Sequence, residues 1–432
     1  MTDLLRALII AISAVAFAAL LRPAVRHRGV VVLLGAWVAM PAIAVAWPWA
    51  LLAGSGTWRD HLLHALLTGL RLAPVAILAR ALAPAPAVDA VGLHLLRLAG
   101  WSRRRRAWTW LLHGPGRAWL PAVGLTAVLG FAEFELASRL AVSTWAVRLF
   151  DAQAGGQPIV DTARAALPGA LAQVTILVLA GWGLSRGSEA SNSNPPPTTM
   201  LRAVAHAALI LGTVILLVVP GWVIVRGGLR GVQALADVQV WREVAAGLVF
   251  AVAGGTTAWL LPVWLRAVLL PLACAGSLAL GLGLLLLTAG TPLADSPVPL
   301  ITALALVALP AVWLLRRAVG EGTPAHHAAR LLAGVPGRRA VATRIAWQAG
   351  SWRTTAALLA VLLVAAGDLA ATAMLHPLAA PPALVRCYQF MHYGHSDALA
   401  ARLMAWLLAG TAATAGLWLV ARALPLRTVR HG

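Results

Sequence analysis

The chain has 432 residues, 60% of them hydrophobic and only 11% charged, and its mean hydropathy is +0.83. Soluble domains carry about 25% charged residues, so a water-soluble globular protein is excluded, and the long continuous apolar runs exclude an outer-membrane barrel built from short alternating strands. The formal charge is +20 and all 34 basic residues are arginine, which in an apolar chain points to loops held on the cytoplasmic side rather than to nucleic acid.

Repeated apolar runs of about 20 residues predict an all-α, polytopic transmembrane bundle, because a helix rising about 1.5 Å per residue needs that length to cross the hydrocarbon. In chain order the predicted spans are 4–21, 30–54, 61–83, 118–137, 166–185, 201–225, 243–264, 267–290, 298–315, 354–375 and 398–421, eleven in all. The first lacks a small-residue cleavage site and reads as an anchor. Arg71 and Arg80 interrupt the third, and Pro74 is expected to kink it. Cys274 and Cys387 are too few for a disulfide scaffold or a metal framework, and Cys274 reads as core packing.

The stretch AGWSRRRRAW (99–108) sets four consecutive arginines between apolar segments. With that loop in the cytoplasm, alternation puts 22–29, 86–117, 186–200, 265–266, 316–353 and 422–432 inside, and these hold 21 arginines. The C-terminus is then cytoplasmic and the N-terminus outside. SEASNSNPPPTT (188–199) is the one polar low-complexity stretch and suits a solvated linker over 188–200. It divides the chain into halves 1–187, with five spans, and 201–432, with six.

The halves echo each other. LLRLAGWSRRRRAW (95–108) aligns with AARLLAGVPGRRAV (328–341), placing Gly100 on Gly334 and Arg104–Arg105 on Arg338–Arg339. Each loop is followed by an apolar span containing acid: GFAEFELAS with Glu133 and Glu135, and AAGDLAATA with Asp368. Each then has a short outside segment, WAVRLF (145–150) or ALVRCY (383–388). Three features in one order argue for two copies of one unit, and equal orientation makes them parallel repeats.

These residues resemble the fused, double-length permeases of bacterial ABC importers, in the iron(III)/thiamine branch of the binding-protein-dependent family. The second loop, HHAARLLAGVPGRRAVATRIAW, matches that family's cytoplasmic pattern at Ala328, Ala329 and Gly334; the first keeps Gly100 and the basic run. Ala132-Glu133-Phe134 and Gly367-Asp368-Leu369 are similar to the family's pattern in the next span. YQFMHYGHSDALA (388–400) is similar to its closing outside segment. Both loops depart from the family in lacking its glutamate.

The resemblance implies a permease of the bacterial inner membrane that forms the solute path. Two copies of a separate ATPase subunit would grip the loops at Gly100, Arg103, Arg104, Arg105, Arg106, Ala328, Ala329, Gly334, Arg338 and Arg339. A soluble or lipid-anchored binding protein would dock outside, near His392 and Tyr393, and deliver ferric iron or thiamine. Glycine at 100 and 334 is expected to allow a left-handed turn. Glu133, Glu135 and Asp368 are candidates to line or gate the path, because a charge at mid-membrane is costly and usually faces a cavity or a partner. The alternative for them is a structural tie to Arg71 or Arg80.

The chain itself lacks the phosphate-binding loop of an ATPase, since it has no lysine, so no enzymatic activity is assigned to it. His61 and His64 share a helical face, but without a cluster of carboxylates or a cysteine beside them neither a metal nor another cofactor is assigned. Two other readings remain open: a membrane-embedded lipid- or isoprenoid-modifying enzyme, and a degenerate permease relative with a structural role.

Overall fold

In a computed structural model the structure describes residues 2–25, 28–50, 52–53, 57–83, 86–185, 198–319, 328, 331–332, 334–335 and 337–427. Every regular element among them is helical. Seven of these helices are long and apolar enough to cross a membrane, and two bent pairs raise the number to nine if each counts as one span. The chain is therefore a multi-pass membrane protein. The linker expected at 188–200 lies outside the described residues up to 197, and so does Ala329.

Packing divides the chain into two compact units, Met1–Gly221 with Cys274–Ala279, and Trp222–Ala273 with Leu280–Gly432. In the first, α1 (Asp3–Leu21) buries a stripe of Ala7, Ile10, Ala11, Ala14, Ala18 and Leu21, spaced three and four apart. Its other side exposes Leu4, Leu8 and Ile12, as a lipid-facing surface requires. Helices α2 (Arg28–Ala39) and α3 (Ala42–Trp49) meet at an 80° bend, where Pro41 supplies no N–H to continue a helix. The predicted span 30–54 is thus broken.

Helix α4 (Trp58–Ala81) crosses α1 at Gly69, where a Cβ would sit 2.6 Å from Ser13 Cβ. Lipid tails give apolar helices no hydrophobic reason to associate, so such close approach at small residues supplies the packing energy instead. After α5 (Ala90–Leu98) and α6 (Arg103–Leu112), α7 (Leu120–Phe131) completes the bundle by packing on α1 and α4. The short helices α8 (Glu135–Arg139) and α9 (Trp145–Ala154) follow, then the long α10 (Ile159–Ser185). α11 (Thr199–Thr213) and α12 (Val219–Arg230) form a 32-residue span interrupted by a π-helical turn over Val214–Val218.

The second unit begins within α12. Its core is made by α13 (Val238–Leu260), α16 (Val298–Val319) and α17 (Arg339–Ala366), which bury Phe250, Ala258, Leu300, Leu304, Val312 and Val361 together. Gly254 admits Leu304 and the Ala305 backbone, much as Gly69 admits α1. Between α13 and α16, α14 (Val263–Ala273) and α15 (Ser277–Thr288) bend by 101°, so the predicted span 267–290 is also broken. The unit closes with the short α18 (Ala370–Leu375) and α19 (Ala383–His392) and the long α20 (Ser396–Arg427).

Two predicted spans, 118–137 and 354–375, do not run through. α7 stops at Phe131 and α17 at Ala366, each just before its acid, and a separate short helix starts after it. The reason is local: each carboxylate offers the next backbone N–H groups a better partner than continuing the helix would.

Candidate functional site

Glu133 sits at the first of these breaks. Its Oε1 accepts a hydrogen bond from Leu136 N at 2.7 Å, and its Oε2 accepts one from Ala137 N at 3.0 Å. These are orphan donors of the α8 first turn, so the acid acts as a helix cap. Oε2 also meets His64 Nε2 of α4 at 2.9 Å, and the His64 side chain is fully buried. The structural tie considered for this acid thus goes to a histidine; Arg71 instead donates to the Met40 carbonyl, and Arg80 stacks 4.6 Å over the Trp119 ring. Glu135 stands in the first turn of α8, where a negative charge suits the helix dipole.

Asp368 repeats the capping role. Its Oδ1 accepts from Ala371 N at 3.0 Å, opening α18, while Thr372 Oγ1 donates to the Asp368 carbonyl. Asp368 also borders a small recess with Phe250, Leu304, Thr372 and Trp406. Just past α18, burial lowers the His376 imidazole from its ordinary value, and its Nδ1 lies 3.2 Å from the Thr372 carbonyl.

A second polar arrangement follows each break. In the first unit Asp3, at the start of α1, pairs through Oδ1 with Arg6 at 3.2 Å and through Oδ2 with Arg148 of α9 at 2.7 Å. In the second, Glu243 of α13 pairs through Oε1 with Arg386 of α19 at 3.4 Å and through Oε2 with Arg402 of α20 at 3.0 Å. Each carboxylate thus spends both oxygens on two guanidinium groups, one of them from the short helix. Arg402 also lies 4.4 Å from the Phe390 ring centre, and Arg386 donates to Gln389 Oε1. Burial pushes the Cys387 thiol of α19 up from its ordinary value, so it stays a protonated core group.

Both short helices end alike. Gly156 has φ +83° and Gly394 φ +75°. Gln157 N donates to the Ala152 carbonyl, and His395 N to the Phe390 carbonyl, which are the six-to-one bonds of a glycine C-cap. His392 and Tyr393 stand exposed at the second of these ends.

The tetra-arginine stretch forms a helical hairpin. Asp89 caps α5 by accepting from Gly92 N at 2.7 Å, and Ser102 caps α6 by accepting from Arg105 N at 3.3 Å. Gly100 turns the chain between them with φ +76°. Arg103, Arg104 and Arg105 are exposed and Arg106 is half-buried; the Arg105 guanidinium lies 3.9 Å from the Trp101 ring centre. Leu95, Leu98, Trp108 and Trp110 are exposed beside them.

In the second loop the left-handed glycine is Gly337, with φ +77°; Gly334 is not left-handed, which corrects the expectation for it. Gly100 and Gly337 are 237 apart, close to the spacing of Gly156 and Gly394. Ala328 and Arg338 are exposed, and α17 begins at Arg339.

The arginines in WAVRLF and ALVRCY were visible as part of a matched segment, but their partners were not. The available signal was an acid near the start of the first long helix of each unit, Asp3 and Glu243, at almost the same offset that relates Arg148 to Arg386.

No protein-family model, no curated protein and no solved structure matches this chain.

Proposed function

We propose that the chain is the fused permease of a binding-protein-dependent ABC importer of the bacterial inner membrane, built from two parallel copies of one unit. One observation carries the reading: the same series of devices occurs twice. It consists of a helix ended by a capping acid, a short helix, a ten-residue helix whose arginine pairs with an acid near the start of an earlier long helix, a left-handed glycine, and a long helix that follows. Glu133, Arg148 and Gly156 stand in the first copy, and Asp368, Arg386 and Gly394 in the second. Unrelated bundles of similar composition have no reason to share caps, ion pairs and backbone sign in one order.

In this reading the basic hairpin Ala90–Leu112 and the loop around Gly337 are the cytoplasmic handles for two ATPase subunits. The exposed arginines offer forked donors to acidic or carbonyl groups of that partner. Glu133 and Asp368 act through the helix breaks they create, and Asp368 is the better candidate to face solute because it borders a recess. His392 and Tyr393 belong to the outer face met by the binding protein. The solute is ferric iron or thiamine by resemblance alone.

Purification of the full chain from its own host in lipid nanodiscs, followed by mass spectrometry, tests the reading. A stoichiometric ATPase is expected. Its absence, with a tightly retained isoprenoid or lipid substrate instead, would favour the membrane-enzyme alternative.

A further inference from the structure

We infer that the two carboxylate clamps are unequal by construction, making α9 a releasable outer lid and α19 a fixed platform. The inference rests on the permease reading for what the lid would cover, though not for its mechanical content.

The clamps share a plan. A carboxylate on the unit's first long helix binds the central arginine of the short helix and one further arginine, Arg6 or Arg402. Their surroundings differ. The carboxylates are unlike, the Asp3 side chain being 23% exposed and that of Glu243 2%, while the short-helix arginines are both exposed, Arg148 at 54% and Arg386 at 40%, and the further arginines both buried, Arg6 at 4% and Arg402 at 10%. An exposed pair sits in high dielectric and is screened within a Debye length of about 8 Å at physiological salt. A buried pair is hardly screened, and losing one partner strands a charge in the core. Asp3 can therefore exchange Arg148 for water at little cost, whereas Glu243, if parted from Arg386, keeps its buried charge against Arg402.

Apolar packing points the same way. α9 buries Ala146 and Leu149, whereas α19 buries Ala383, Leu384, Val385, Cys387 and Met391. Besides its ion pair, α9 is held by Phe150, whose ring lies 4.5 Å from that of Phe134, and by Trp145, which fills the notch at Gly169 and has its own N–H bonded to Asp3 Oδ1. Asp3 thus joins both the side chain of Arg148 and the start of the helix, so releasing this one carboxylate frees α9 at two points.

Amide hydrogen exchange of the full chain in nanodiscs tests the proposal without solute or ATPase. Raising NaCl from about 20 mM to about 500 mM should speed exchange in peptides covering 145–157 by at least about fivefold, and leave 383–395 unchanged. Asp3→Asn should do the same to 145–157 at low salt. Arg386→Gln keeps the buried Glu243–Arg402 pair, so it should fold and expose 383–395 selectively. Equal salt responses in the two helices would overturn the inference, as would an α9 indifferent to both salt and Asp3→Asn. A missing ATPase partner would sink the permease reading while leaving these exchange results standing.

Discussion

His64 Nε2 lies 2.9 Å from Glu133 Oε2, joining α4 to the break between α7 and α8 inside an apolar bundle. The carboxylate is already engaged by two backbone N–H groups, so the histidine completes a cap rather than creating one. Glu133→Ala removes the cap and the contact with His64 together. The expected loss is about 2–4 kcal/mol, combining a helix cap with a buried charged hydrogen bond. His64→Ala should cost less, because the cap survives. Thermal unfolding of the two single variants and the double variant in detergent checks this; additive losses would mean the contact carries no energy.

Much of the first unit's bundle was legible in the sequence, because spans such as 4–21 announce themselves by apolar length alone. The breaks were not. Hydropathy averages over a window, and a single acid followed by apolar residues barely lowers it. Glu133 and Asp368 end their helices through hydrogen bonds to the next turn, a matter of local geometry that no window average registers. The basic hairpin was legible as charge, and Gly100 as its turn. Gly337 was passed over for Gly334 because the two lie three residues apart in one short loop, and only the backbone sign tells them apart. The clamps were invisible because their partners lie 145 and 143 residues apart, Asp3 with Arg148 and Glu243 with Arg386.

The left-handed glycines give a direct check on the loop assignment. A Cβ at Gly100 or Gly337 meets no neighbour, so substitution there is opposed by backbone conformation alone. Gly100→Ala and Gly337→Ala should each cost about 1–2 kcal/mol locally. Gly334→Ala should be nearly neutral, since its φ is not left-handed and the nearest atom would be 3.5 Å away. Protease sensitivity of each loop reads this out. A strong effect at Gly334 with none at Gly337 would restore the sequence-based register.

Close helix crossings predict a different pattern. At Gly69 and Gly254 a Cβ would come within 2.6 Å of a neighbouring Cβ and 3.2 Å of backbone nitrogen. Alanine at either should force the helices apart, at about 1–3 kcal/mol. Gly283 and Gly410 meet nothing within 4 Å, and alanine there should be neutral or slightly stabilising. Midpoints of thermal unfolding in detergent separate the two classes.

His376 makes stability depend on pH. Burial disfavours its charged form, so the folded state holds the proton less tightly than the unfolded state. The unfolded chain then binds more protons below the ordinary imidazole range of about 6.5, and stability falls as pH drops through that value toward the depressed folded one. The contribution is fully present above about pH 7. His376→Asn keeps a donor for the Thr372 carbonyl and cannot titrate. Its unfolding temperature should therefore decline less than that of wild type between pH 7.5 and pH 5.5, and parallel declines would remove His376 as a cause.

The tetra-arginine helix separates a handle from a structural element. Arg103, Arg104 and Arg105 project from the surface, and Arg105 makes a close ring contact with Trp101. Replacing the three with glutamine keeps helix propensity nearly constant and removes three charges. The fold should survive, with unfolding shifted by less than about 1 kcal/mol. If these arginines only enforced topology, the variant would insert wrongly, and a reporter fused to the C-terminus would change sides for part of the population. If they grip an ATPase, topology stays intact and the co-purified subunit is lost, more completely at high salt because the contacts are exposed. Correct insertion with undiminished ATPase recovery would take both roles from this helix and leave its exposed Trp108 and Trp110 as the part that matters.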